Sequence, residues 1–164
     1  MVRSYQSEDL VWLMETANKA WRGINAAYRR AYGDDLFALL VPDEHTRKGE
    51  EMRQICREHP ENVFVCEEDG RRAGFIHLVF DRTRRIGEIG NNAVDPECGL
   101  KGIGQQMYRF ALGRFREAGM AFANVTTGLD EGHAPARRAY ERAGFDISRS
   151  DIHYYMKLEP GPGT

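Results

Sequence analysis

Between Val94 and Met107 the chain reads Val94-Asp95-Pro96-Glu97-Cys98-Gly99-Leu100-Lys101-Gly102-Ile103-Gly104-Gln105-Gln106-Met107. An apolar strand end, a glycine-bearing loop and the start of a helix together suit the binding of an anion. The first N–H groups of a helix have no intrahelical acceptor and lie at the positive end of its dipole, so they face whatever sits before the helix. Glycine removes the side chain that would hold a phosphate oxygen away from the backbone. Two better-known phosphate loops do not fit. A P-loop needs Ser or Thr after its lysine, and Gly102 follows Lys101; a dinucleotide fingerprint needs a third glycine where Met107 stands. The plainer use of Gly99, Gly102 and Gly104 is to turn the chain into a packed helix, and the loop alone does not separate the two uses.

Such a loop works only if a strand ends at Val94 and a helix begins at Gly102. Ile86 to Val94 reads as that strand, and Ile103, Met107, Phe110, Ala111 and Phe115 recur at helical spacing up to Gly119. A hairpin precedes the strand, Val63 to Glu67 and Ala73 to Phe80 about a Glu68-Asp69-Gly70 turn. Upstream, Ser7 followed by Glu8 and Asp9 marks a helix start with Ser7 as N-cap. Leu10, Leu13, Met14, Ala17, Trp21, Ile24 and Tyr28 then carry an amphipathic helix to about Gly33. A second helix is expected from beyond Pro42-Asp43 to about Glu58. Downstream, Ala121 to Thr127 reads as a strand, Pro135 to Ala143 as a short helix, and Phe145 onward as a final pair of strands ending near Leu158. With the first few residues also pairing, the pattern predicts an α+β, mixed three-layer α/β/α fold.

The 164 residues suit one domain, expected over 1–159, with 160–164 as a disordered tail. Lys and Arg number 23 against 25 Asp and Glu, a net charge of −2 that argues against a nucleic-acid binder and a polybasic membrane-surface protein. Cys56, Cys66 and Cys98 show no Cys-x-x-Cys spacing, and the five histidines form no pair at zinc-site spacing, so no metal is expected. An odd cysteine count, a start without an apolar signal segment, and a longest apolar run of only Leu36 to Val41 predict a cytoplasmic protein with no membrane partner.

In this context the glycine loop resembles the central signature of the GNAT superfamily of acyl-CoA-dependent N-acyltransferases. That signature is a strand ending Val-x-Pro, then Arg or Gln before Gly-x-Gly or Gly-x-Ala, then a helix. Val94 and Pro96 match the strand end and Gly102 and Gly104 the glycines. A second family signature, Asn-x-x-Ala-x-x-x-Tyr-x-x-x-Gly-Phe, is met by His133, Ala136, Tyr140, Gly144 and Phe145. Two positions depart: Gly99 stands where the family has Arg or Gln, and His133 where it has Asn.

The resemblance implies a central, mostly antiparallel seven-stranded sheet, splayed between strands four and five and flanked by about four helices. It implies acetyl-CoA as co-substrate, held along Ala93, Val94, Asp95 and Pro96, by the amides of Gly99, Leu100, Lys101, Gly102, Ile103, Gly104 and Gln105, and near His133, Ala136 and Tyr140. Tyr140 is then the group beside the departing sulfur. An ordinary phenol, near 10, is a weaker acid than a thiol, near 8.5, so full proton transfer would cost about 2 kcal/mol. A hydrogen bond donated to the developing thiolate is at least as good a role. Glu88 lies fourteen residues before Gly102, the spacing at which histone acetyltransferases of the superfamily carry their catalytic glutamate. That spacing implies a base for the incoming ammonium, which has no lone pair until it loses a proton. Strand alternation would put Glu88, Asn92 and Val94 on one face and Asn91 on the other. Ala136, Ala139, Tyr140 and Ala143 also form an apolar helical stripe, so Tyr140 has a core reading as well.

The expected activity is acetyl transfer from acetyl-CoA to a primary amine of a small molecule, peptide or protein, directly within a ternary complex. The alternative is a catalytically weak or inactive CoA-binding regulatory or interaction module of the same fold, for which Gly99 and His133 leave room. The partners implied are a coenzyme A thioester and an amine acceptor, with no nucleic acid. A homodimer is common among members of the superfamily.

Overall fold

The computed structural model describes residues 1–158; the tail expected at 160–164 lies outside them. The elements in chain order are β1 Val2–Ser4, α1 Leu10–Leu40, α2 Arg47–Glu58, β2 Val63–Glu68, β3 Arg71–Asp81, β4 Ile86–Val94, α3 Ile103–Glu117, β5 Phe122–Val125 and α4 Ala134–Ala143. The sheet runs β1-β2-β3-β4-β5; its first three pairings are antiparallel and β4 with β5 is parallel.

Helices cover both faces, which explains why β2 and β3 carry nearly continuous apolar runs and not an in–out alternation. On one face Val63, Phe75 and Ala93 pack against Leu13 and Ala17 of α1 and Met52 and Cys56 of α2. On the other, Phe64, Ile76, Leu78 and Ile89 pack against Ile103, Met107, Ala111 and Phe115 of α3 and Tyr140 of α4. The three-layer α/β/α reading holds.

Three expectations change. The sheet has five strands among the described residues and not seven, because 145–158 form neither helix nor strand. A strand needs a neighbour to bond. Here the chain leaves α4 through Gly144, at φ 103°, and runs to α1, where Tyr155 meets the Tyr32 ring at 5.5 Å and Lys157 pairs with Asp35 at 2.8 Å. The first helix does not end at Gly33: that residue kinks it at φ 75° and helix resumes to Leu40. Ser7 is not an N-cap. Ser7–Asp9 is a 3-10 turn in which the Asp9 carboxylate accepts from the Gln6 N–H at 2.8 Å, and the same buried carboxylate receives Arg3 and Arg72.

Two irregularities shape the sheet's working end. Opposite β3, the pairing steps from Leu78–Ile89 to Ile76–Asn92, so β4 holds one extra residue across Gly90 and Asn91, a β-bulge. The bulge accommodates a buried side chain, since a Cβ on Gly90 would lie 2.7 Å from His77 Nδ1. Beside β5, pairing runs only from Ile86–Phe122 to Ile89–Val125, and past it the two strands part.

Candidate active site

The bulge reverses which way β4 side chains point. Residues directly opposite in an antiparallel pair share a face. Glu88 lies opposite Val79 and Ala93 opposite Phe75, on the α1/α2 face; Asn92 lies opposite Ile76 and Val94 opposite Gly74, on the α3/α4 face. Glu88 therefore does not share a face with Asn92 and Val94, as unbroken alternation would have it. It shares one with Asn91, whose amide donates to Glu51 of α2 at 2.8 Å.

A cleft of about 1420 Å³ opens where β4 leaves β5, and it reaches both faces of the sheet. That exceeds the roughly 300–1,000 Å³ of a pocket for one small ligand. Its floor is β4 from Glu88 to Val94. One wall is α3 and α4, with Gly102, Gly104, Gln105, Tyr108, His133, Ala136 and Tyr140; the other is α1 and the start of α2, with Trp21, Tyr28, Tyr32 and Glu51. Residues Arg149 to Ile152, with His153 and Tyr155, line the end where the chain crosses from α4 to α1.

The centre of the α3/α4 wall is a hydrogen-bonded trio. Asn92 Nδ2 donates to the Tyr140 hydroxyl at 3.2 Å and to the Gly90 carbonyl at 3.1 Å, while the Tyr108 hydroxyl donates to Asn92 Oδ1 at 3.1 Å. A carbonyl only accepts, so the Gly90 contact fixes which end of the amide faces Tyr140. Tyr140 thereby accepts a hydrogen bond and keeps its own proton to donate. The Tyr108 and Tyr140 rings lie 4.9 Å apart, and burial, with Tyr140 beside it, pushes the Tyr108 phenol well above its ordinary value. Tyr108 is thus a fixed donor and no acid.

The glycine loop is held from outside the cleft. Asp95 accepts from the Trp12 indole at 3.2 Å and from the Glu97 N–H at 2.9 Å, and its own N–H donates to the Ala73 carbonyl. Gly102, at φ 80°, is the N-cap of α3, and Gln106 N–H closes the first turn onto the Gly102 carbonyl. The N–H groups of Ile103, Gly104 and Gln105 are left without intrahelical acceptors. The nearest atom to a Cβ built on Gly104 lies 3.6 Å away, an ordinary contact, so internal packing does not require glycine there.

Of the residues singled out from sequence, Glu88, Ala93, Val94, Gly102, Gly104, Gln105, His133, Ala136 and Tyr140 line this one cleft. Asp95, Pro96, Gly99, Leu100, Lys101 and Ile103 do not. The Ile103 side chain is core, and the Gln105 side chain is occupied by the Ala139 carbonyl at 2.7 Å, tying α3 to α4. His133 is held by Asp130: its ring Nδ1 lies 2.6 Å from Oδ2 and its N–H donates to Oδ1. Burial raises the Asp130 carboxyl, but the contact with His133 outweighs it and the net shift is downward. Arg137 donates to the Gly128 and Asp130 carbonyls, so it braces this loop.

Sequence reasoning missed Tyr108 and Glu51. The only signal for Tyr108 was its place four residues after Gly104, on the same stripe of α3. Glu51 carried no local signal. Burial raises its carboxyl, but Lys48 at 2.8 Å and Asn91 lower it below the usual range. Glu51 and Glu88 bring two carboxylates to the α1/α2 end of the cleft, where Arg47 and Lys48 also line it; Lys48 pairs with Glu51 and stacks on Trp21 at 4.6 Å. Among the described residues no three His, Cys, Asp or Glu side chains come together to hold a metal, and no helix is long and apolar enough to cross a membrane.

A model of the Acetyltransferase (GNAT) family matches residues 21–145. A mycothiol acetyltransferase of Streptomyces bingchenggensis is 29% identical over 82% of this chain and 41% of its own length. An S-(2-succino)cysteine N-acetyltransferase of Bacillus subtilis is 29% identical over 58% of this chain and 65% of its own. The chain spans about two fifths of the length of the mycothiol acetyltransferases it matches. Among solved structures, the PaiA N-acetyltransferase of Thermoplasma acidophilum in complex with coenzyme A superposes with a TM-score of 0.68 at 19% identity, covering 92% of each chain; at that identity the likeness is one of fold.

Proposed function

The chain belongs to the acetyltransferase (GNAT) family, and we propose that within its cleft it moves an acetyl group from acetyl-CoA directly to the primary amine of a small molecule. The observation that carries this reading is that Glu88, on one face of the sheet, and Tyr140 of α4, packed on the other, line one cleft that opens where β4 leaves β5. In direct transfer the amine adds to the thioester carbonyl, the tetrahedral intermediate expels the thiolate, and a proton is lost at nitrogen and supplied at sulfur. A proton acceptor and a proton donor on opposite faces suit that path.

The coenzyme's residues of contact follow from the α3/α4 side. Its pyrophosphate would meet the free N–H groups at the start of α3, and open space at Gly102 leaves room for that approach. The amide-rich pantetheine arm would bond the backbone of β4 beyond Ile89, an edge that β5 no longer occupies. The acetyl group then lies near Val94 and Asn92, with the sulfur beside the Tyr140 hydroxyl. Asn92 holds that hydroxyl by an accepted bond, which leaves its proton for the leaving sulfur. A backbone amide near Val94 would stabilise the developing oxyanion.

The acceptor would enter from the α1/α2 side. Glu88 would attract an ammonium there and take its proton so that nitrogen gains a lone pair, while Glu51 is engaged by Lys48 and Asn91. Trp21, Tyr28 and Tyr32, together with the chain crossing at 149–155, bound this end of the cleft and favour a small acceptor over a protein chain. The names of the two relatives above, an acetyltransferase of mycothiol and one of S-(2-succino)cysteine, support an acceptor of that size.

The test is thiol release from acetyl-CoA over a panel of small amines, with melting shift by acetyl-CoA measured in parallel. Release that depends on an amine and falls with Tyr140→Phe supports the reading. A melting shift with no release across a broad panel would identify a coenzyme-binding module without turnover.

A further inference from the structure

Acetyl transfer to an ammonium takes two protons from nitrogen. The first leaves before attack, since an ammonium has no lone pair, and the second leaves when the tetrahedral intermediate, with its nitrogen now cationic, collapses to the amide. A carboxylate that has taken the first proton is neutral and has no charge left for the second. The second proton therefore calls for another acceptor in the same cleft, and His133 lines that cleft with a ring nitrogen to spare.

Residues 128–133 hold the His133 ring in one orientation. Its Nδ1 donates to Asp130 Oδ2 at 2.6 Å, and its side chain is 14% exposed. Burial raises the Asp130 carboxyl and its contacts with His133 more than offset that, so the carboxylate is ionised and only accepts. Nδ1 then carries the proton and Nε2 the lone pair. Among the described residues nothing bonds Nε2, nor is it a buried atom lacking a partner, so it opens to the cleft. The loop leaves the pair no room to shift: a Cβ on Gly128 would lie 2.6 Å from His133 Nδ1 and against Asp130 Oδ2, and one on Gly132 3.0 Å from Asp130 Oδ1. Arg137 of α4 pins the Gly128 and Asp130 carbonyls. From α1 the Tyr28 ring meets the imidazole at 6.2 Å, and burial together with the Asp130 charge pushes the Tyr28 phenol up, so it stays neutral. Asp130, Arg137 and Tyr28 are the charged and titratable groups that His133 meets on its own loop, α4 and α1.

We propose that His133 is a second proton acceptor of the transfer, its Nε2 taking the proton that leaves nitrogen as the tetrahedral intermediate collapses, with Asp130 positioning the ring and stabilising the imidazolium. The step rests on direct transfer in this cleft and adds a residue to it. His133 stands at the N-terminus of α4, where that wall meets Tyr28 of α1, between the coenzyme's side and the acceptor's. The protons balance. Glu88 and His133 each take one from nitrogen, and Tyr140 gives one to sulfur; of the two taken, one restores the phenol through solvent and the other is released. The products are the amide, the coenzyme A thiol and one proton. An imidazole suits the second step, because it both accepts and releases a proton near neutrality.

The test is amine-dependent thiol release by His133→Gly and His133→Asn, with and without added imidazole, beside the melting shift by acetyl-CoA. Both variants still show that shift, and kcat falls about 100-fold in each. Imidazole, which releases no thiol without the amine, restores His133→Gly at least about tenfold and leaves the wild type as it was. In His133→Asn the fall of kcat on the acid side moves to lower pH, because a carboxylate titrates below an imidazole and Glu88 is the base that remains. Asp130→Asn lowers kcat in the wild-type background and by no more than about threefold in His133→Gly. A kcat that neither His133 variant lowers overturns the proposal, while amine-dependent release by the wild type leaves direct transfer standing. A raised KM for acetyl-CoA with kcat unchanged gives His133 to the coenzyme alone and overturns it too. So does a lost kcat with no rescue by imidazole and an unmoved pH profile, the mark of a structural role. No release by the wild type over the amine panel overturns direct transfer and this step with it.

Discussion

Asn92 Nδ2 donates to the Tyr140 hydroxyl at 3.2 Å, joining the C-terminal part of β4 to the C-terminal half of α4 across 48 residues of sequence. The bond settles what the phenol offers to the cleft. With its oxygen engaged as an acceptor and the Asn92 carbonyl taken by Tyr108, the Tyr140 proton has no partner in this trio and is free for a ligand.

Replacing Tyr140 by Phe removes that proton and little volume. For a charge-assisted hydrogen bond to the departing thiolate, worth about 1.5 to 3 kcal/mol, kcat falls roughly ten- to hundred-fold while KM for acetyl-CoA is nearly unchanged. Steady-state kinetics with an active amine decides it, and an unchanged kcat removes Tyr140 from the reaction.

Asn92 acts through Tyr140, so its loss and the loss of the phenol should overlap. Asn92→Ala lowers kcat, and adding it to Tyr140→Phe lowers kcat by no more than about threefold further. It also leaves the buried Tyr108 hydroxyl without its acceptor, a destabilisation of about 1 to 3 kcal/mol by denaturant titration. Multiplicative losses in the double variant would mean that Asn92 does not work by positioning the phenol.

Glu88 stands on the α1/α2 face of β4 and not with Tyr140. Glu88→Gln accordingly slows transfer about 100-fold or more, within the range of a lost general base, and leaves the melting shift by acetyl-CoA as it was. A variant as fast as wild type, with the same pH profile, assigns the proton to another acceptor.

Asp9 ties the N-terminus to the sheet through Arg3 and Arg72. Burial raises its carboxyl, but the Arg3 bond, the Gln6 N–H and Arg72 together hold it below the ordinary range. A carboxyl lower in the folded than in the unfolded state contributes its full stability above the unfolded value of about 3.9, and that contribution is lost as pH falls towards the folded value. Asp9→Asn therefore costs about 2 to 4 kcal/mol at pH 7 by denaturant titration. The gap between variant and wild type narrows below about pH 3.9; a constant gap down to acid would show that the ion pairs are not its source.

Much of this molecule is written locally. The glycine loop, the helix from Gly102, the hairpin about Asp69 and Gly70 and the apolar stripes of α1 and α3 all follow from patterns within one turn or one pleat. Backbone propensity and periodicity act over that range, so these elements were legible with boundaries shifted by a few residues, except that α1 runs on past Gly33 to Leu40. The two motifs around Gly102 and Tyr140 likewise indicated the family, because each is a short run; of their residues Val94, Gly102, Gly104, His133, Ala136 and Tyr140 line one cleft.

The face of β4 on which Glu88 lies was not legible, nor was the hold of Asn92 on Tyr140, nor the fate of residues 145–158. Each depends on what a strand meets and not on what it is made of. A one-residue bulge opposite His77 reverses the direction of the side chains on one side of it, and no local pattern around Gly90 and Asn91 announces it. Phe145 to Leu158 have the composition of strands, but strand hydrogen bonds need a second chain segment at about 4.8 Å. Sequence alone determined which segments could be helices and strands and which chemistry they carry; register, facing and pairing were decided only when distant segments came together.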